Sequence, residues 1–205
     1  MKWTRGPMSV QKILTCAGAL AAAVCAPMAV AQQGGTISFD GKVTAASCEI
    51  VGEGADQTVT LPTVSVNALP AEGATAGETP FDIQLANCSL ANSTDKTTGS
   101  QSVTAYFTPN ASVNTTFGTL INTDEAASGG AQNVTIQLLN GETDEPIDIG
   151  NTVPTDESSL GNLPTGQFDA DNGEVTLNYL ARYFATGQST AGDVNAKASY
   201  VLIYP

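Results

Sequence analysis

Cysteine offers the most specific chemistry in this chain of 205 residues. Cys48 and Cys88 stand forty residues apart, and the two other cysteines, Cys16 and Cys25, fall in an apolar N-terminal run. The chain has no histidine. Neither thiol therefore has an imidazole to activate it, and Ser-His-Asp or Cys-His catalysis and histidine metal sites are excluded. Twenty Asp and Glu residues leave a carboxylate-pair glycosidase open by composition. The single tryptophan, Trp3, precedes the mature start argued below, which removes the usual platform for stacking a sugar ring. Asp169-Ala170-Asp171-Asn172-Gly173-Glu174 has the acids of a calcium loop, but its spacing is short of the EF-hand pattern and no matching acid follows. A turn leading into a strand fits that segment better. The chain is expected not to be an enzyme, and to need no metal or other cofactor.

Compartment decides what the two cysteines do. Lys2, Arg5 and Lys12 form a positive leader, Ile13 to Val30 an apolar, alanine-rich run, and Ala29-Val30-Ala31 a small-residue cleavage triplet. A membrane anchor is the competing reading. It is weaker because the run draws its hydropathy from alanine, contains Pro27 and is followed by no second apolar span. Residues 1–31 are thus expected to be a signal peptide, leaving 174 residues from Gln32, enough for one domain with a sizeable core. In an oxidising compartment Cys48 and Cys88 then have only each other, and a disulfide is expected. The mature segment carries twenty acidic residues against Lys42, Lys96, Arg182 and Lys197, a net charge of −16. Such a surface repels nucleic-acid phosphates and anionic membranes.

The elements that must position these residues read as strands. Apolar residues alternate with period two over Thr36–Val43, Gln57–Leu61, Phe81–Leu85, Ser102–Phe107, Asn133–Leu138, Glu174–Phe184 and Val194–Tyr204. Breaker-rich stretches separate them: Leu69 to Pro80, Ala91 to Ser100, Ala126 to Gly130, Asn140-Gly141 and Asp171-Asn172-Gly173. No apolar 3.6 period is sustained over ten residues of the mature chain. The expected class is all-β, a sandwich of short strands.

The two ends do not fit a self-contained sandwich. Val194, Ala196, Ala198, Tyr200, Leu202 and Tyr204 share one face of the last run, while Val201 and Ile203 occupy the other, the pattern of a strand buried on both faces. Nothing after it supplies a hairpin partner. The first run, with Ile37, Phe39, Gly41 and Val43 on one face, starts close to the mature N-terminus. Two arrangements remain open on pattern alone. The terminal strands pair within one chain, or each finds its partner on another chain by strand addition.

The residues also carry a resemblance. Gly34 to Val43 followed by Ala46-Ser47-Cys48 places Gly41 seven residues before the first mature cysteine. Leu61-Pro62-Thr63-Val64 is followed by Gly77-Glu78-Thr79-Pro80-Phe81 and by Ile83-Gln84-Leu85 leading to Cys88. Tyr204 is penultimate, and Gly192 is fourteenth from the C-terminus. In this order and at these distances they resemble type 1-like fimbrial subunits of the chaperone–usher class, major pilins in particular.

The resemblance implies an incomplete immunoglobulin-like β-sandwich completed by a donor strand from another subunit. It implies a donor extension at residues 32–46, with Ile37, Phe39 and Val43 as knobs and Gly41 where a side chain finds no room. The pilin domain would occupy 47–205, with Gly192, Val194, Ala196, Ala198, Tyr200, Leu202 and Tyr204 lining the acceptor groove and meeting the chaperone. The implied partners are identical or homologous subunits, a periplasmic chaperone and an outer-membrane usher. The implied destination is a surface fimbria supporting adhesion or biofilm formation. A minor adaptor or an adhesive subunit is the alternative role, although tip adhesins of this class carry an extra receptor-binding domain for which this chain has no room.

Overall fold

The computed structural model describes residues 41, 43, 47–52, 55–89, 101–150, 153–168 and 173–205. The chain divides into two units, Met1–Gly41 and Lys42–Pro205, and every described residue except Gly41 belongs to the second. The leader, Ile37 and Phe39 of the expected donor strand, and Asp169 to Asn172 of the acidic turn lie outside the described residues.

Nine strands are present among the described residues and no α-helix: β1 (Ser47–Val51), β2 (Thr75–Ser89), β3 (Gln101–Phe107), β4 (Val113–Asn114), β5 (Thr119–Ile121), β6 (Val134–Asn140), β7 (Gly166–Phe168), β8 (Val175–Ala185) and β9 (Tyr200–Ile203). They form a six-stranded sheet in the order β1-β2-β8-β6-β5-β4 and a three-stranded sheet in the order β7-β3-β9, with every strand pair antiparallel. This is the expected all-β class.

Strand β8 shows why the alternation read from sequence works. Val175, Leu177, Tyr179 and Ala181 are buried, while Thr176 and Asn178 between them are exposed. The inward set packs with Ile83 and Leu85 of β2, Leu138 of β6 and Val103, Ala105 and Phe107 of β3 into one core between the sheets. Tyr179 anchors it, stacked on Phe81 at 5.2 Å and edge-on to Phe107 at 5.4 Å. Burial pushes its phenol well above the ordinary tyrosine pKa.

Three expectations are corrected. Gln57–Leu61 alternates in exposure yet joins no sheet, and the Gln57 side chain donates to the Asp82 carbonyl at 3.0 Å. Period two reports an extended backbone here, not a ladder. The breaker stretch ending at Pro80 is strand from Thr75 onward. Pro80 is tolerated because β1 flanks β2 only between Gln84 and Ser89, so at Pro80 one edge of β2 has no ladder to lose. The last run is strand only from Tyr200 to Ile203 and is not buried on both faces: Val201 is 49% exposed.

Candidate functional site: the edge beside the last strand

β9 pairs with β3 alone, through Phe107↔Tyr200, Tyr106↔Val201, Ala105↔Leu202 and Thr104↔Ile203. Among the described residues nothing pairs along its other edge. Val194, Ala196, Tyr200, Leu202 and Tyr204 pack against the central core while remaining only half-buried. These five residues thus form an apolar surface that the described residues cover incompletely. Ala198 departs from the alternation and is exposed.

Gly192 departs differently. It is exposed and lies eight residues before β9, against a neighbouring loop. A Cβ there would stand 2.3 Å from the Ala131 nitrogen and 2.5 Å from the Gly129 carbonyl oxygen. Only a glycine lets two backbones approach that closely. Gly192 therefore has a packing reason of its own, independent of any contact with a chaperone.

The two sheets meet at Tyr204. Its hydroxyl accepts from the Cys48 backbone N–H at 2.7 Å, and its ring meets Phe168 edge-on at 6.3 Å. Cys48 is bonded to Cys88, joining β1 to β2 across a sequence separation of 40. Closing a loop of that size stabilises the folded chain by about 4 kcal/mol on the chain-entropy account. The disulfide and the Tyr204 hydrogen bond together fix the first strand of one sheet beside the last strand of the other. Further along β9, Tyr200 meets Phe107 edge-on at 6.1 Å, and burial first, then the nearby Asp56 charge, raises its phenol pKa.

Of the expected donor residues, Gly41 and Val43 are described. Val43 is 99% exposed. No group of three or more metal-ligating side chains occurs among the described residues. Sequence reasoning missed Asn122, a buried side chain that holds the segment leading into β9. An Asn-Thr-Asp stretch reads as an ordinary turn, and nothing in it marks a long-range tether.

An edge strand of an antiparallel sandwich with an incompletely covered apolar flank defines the class: an immunoglobulin-like domain open on one side. The sequence family described as "Fimbrial protein" matches residues 37–205. An Escherichia coli relative, the "F17 fimbrial protein", is 42% identical over 195 residues, covering 95% of this chain and 99% of its own length. The "Major fimbrial subunit SMF-1" of Stenotrophomonas maltophilia is 38% identical, covering 87% and 97% respectively. Among solved structures, the P pilus rod subunit PapA superposes with a TM-score of 0.55 at 21% identity, covering 77% of this chain and 99% of its own, a likeness of fold. The chain belongs to the fimbrial protein family. It is a structural fimbrial subunit, exported to fimbriae on the cell surface.

Proposed function

We propose that this subunit polymerises by donor-strand exchange, residues 32–46 of one copy completing the open side of the next. The observation that carries the reading is β9, an apolar strand that among the described residues is paired on one edge, and whose inward residues stay half-buried. A lent strand placing Ile37, Phe39 and Val43 on this flank would bury them and add a ladder along the outer edge of β9. Gly41 would fall where the two backbones come closest. Val43, almost fully exposed in the isolated chain, is a knob without a socket of its own.

Before assembly the same edge needs temporary cover. A periplasmic chaperone lending a strand, and an outer-membrane usher exchanging it for the next subunit's extension, meet that need. The role is structural and non-catalytic, and Cys48–Cys88 holds the fold without acting in any chemistry.

Gly41→Leu tests the reading. The variant is expected to be exported and to form its disulfide, yet to yield almost no fibre by quantitative immunoblotting of sheared pili. Wild-type fibre yields would contradict it.

A further inference from the structure

The edge available to a lent strand is longer than β9, and the reason is Asn122. Its side chain is 2% exposed and uses its full hydrogen-bonding capacity. Nδ2 donates to the Ala131 carbonyl at 2.9 Å and the Asp193 carbonyl at 3.2 Å. Oδ1 accepts from the backbone N–H groups of Asp124 at 3.1 Å and Asn195 at 3.0 Å. One buried carboxamide thus ties the loop 122–131 to the segment preceding β9.

The surrounding bonds reinforce that tie. Asp193 N–H donates to the Gly129 carbonyl at 2.9 Å, and Ala131 N–H donates to the Asp193 carbonyl at 2.9 Å. The Asn195 carbonyl accepts from the Thr123 N–H at 2.7 Å and the Thr123 hydroxyl at 3.1 Å, and its Nδ2 donates to the Asp124 carboxylate. Thr108 N–H donates to the Ser199 carbonyl at 2.8 Å. All the bonded backbone groups belong to odd-numbered residues: 193, 195 and 199. In an extended chain successive residues turn their N–H and C=O groups to opposite edges. The backbone groups of Val194, Ala196 and Ala198 therefore turn away from this clasp, and no described residue bonds them. Val194 and Ala196 pack on the core as Tyr200 and Leu202 do, with the exposed Ala198 between the two pairs.

We propose that Asn122 is a positioning residue for strand exchange: it holds Val194–Ala198 extended, so that the acceptor edge runs from Val194 through β9 to Tyr204. Eleven residues then flank the incoming strand, the six even-numbered ones with their backbone groups turned toward it, and at about 3.3 Å per residue this length engages most of residues 32–46. The inference rests on the strand-exchange reading above.

The test uses the exported subunit and a fluorescent peptide of residues 35–46, with peptide release followed in excess unlabelled peptide. Asn122→Asp keeps the shape but sets carboxylate oxygens against the Ala131 and Asp193 carbonyls. It is expected to release the peptide about tenfold faster than wild type. The control is Asn140→Ala, another buried asparagine, whose side chain bonds Asn162, Glu142 and Thr143 away from this edge. It is expected to lower the melting temperature and leave the release rate within about twofold. Equal release from Asn122→Asp and wild type overturns the proposal, as does equal acceleration by Asn140→Ala. A wild-type subunit that never binds the peptide fails the strand-exchange reading itself, and the inference with it. Should Asn122→Asp not accumulate, amide hydrogen exchange on the wild-type subunit decides. Peptide binding is expected to protect Val194, Ala196 and Ala198 together with β9, and protection confined to β9 overturns the proposal.

Discussion

β3 and β9 are hydrogen-bonded neighbours in one sheet, yet six of the seven residues of β3 are buried and none of the four in β9. β3 has β7 and β9 on its two edges. Its inward face meets the core, and its outward face is covered by 153–165, to which Thr104 Oγ1 donates at the Pro164 carbonyl (2.7 Å) and Ser102 Oγ at Glu157 (2.5 Å). β9 is the more apolar of the two, yet among the described residues only one of its edges is paired and Val201 is half in solvent. The contrast shows that neighbours, more than residue type, set burial. A strand with core-forming side chains and half its neighbours leaves a place for another strand.

The comparison can be broken from the closed side or the open one. The largest effect is expected from the double variant Cys48→Ser with Cys88→Ser, which frees β1 from β2 and the Tyr204 contact with it. Its stability in urea should fall by about 4 kcal/mol, most of what a marginally stable domain has. Gly192→Val comes next. Forcing a Cβ into the backbone of Gly129–Ala131 should cost about 2 kcal/mol in the same assay. It should also slow fibre assembly, because the displaced segment leads into the open edge.

Tyr204→Phe is milder, because only a hydroxyl is removed. The Cys48 N–H loses its acceptor, and about 1 kcal/mol is expected at equilibrium. The smallest effect is in alkali. Burial raises the phenol pKa of Tyr179 in the core strongly and that of half-buried Tyr200 at the edge less, both from about 10. A raised folded-state pKa gives stability that is full below the unfolded value and lost as pH rises through the folded value. Stability should therefore decline above about pH 10. In spectrophotometric titration Tyr200→Phe should remove a phenol that ionises above the ordinary tyrosine range, whereas the more deeply buried Tyr179 phenol should ionise only as the chain unfolds.

Three strands with a neighbour on each edge were legible in the sequence, whereas β2 was read only over Phe81–Leu85 and β5 not at all. β3, β6 and β8 follow the predicted runs to within two residues at each end, because two neighbouring strands or covered faces impose the period-two pattern on every side chain. Elements with one neighbour were not. Gln57–Leu61 alternates without joining a sheet, and the predicted Val194–Tyr204 strand is ladder only over its last third, its first part held by the side chain of Asn122. A tether from a residue over seventy positions away leaves no local trace. The core-facing side of β9, Tyr200 and Leu202, was legible from apolar alternation, whereas the close approach behind Gly192 depends on a loop that no periodicity reveals.

The central claim is that residues 37–43 of one subunit complete the β9 edge of another. A photo-crosslinking residue at Phe39, in fibres assembled from a mixture of isotopically light and heavy subunits, tests it most directly by mass spectrometry. The account predicts cross-links from position 39 to the Val194–Tyr204 segment in mixed light–heavy pairs. Cross-links to that segment found only in pairs of one isotope, each chain joined to itself, would contradict it.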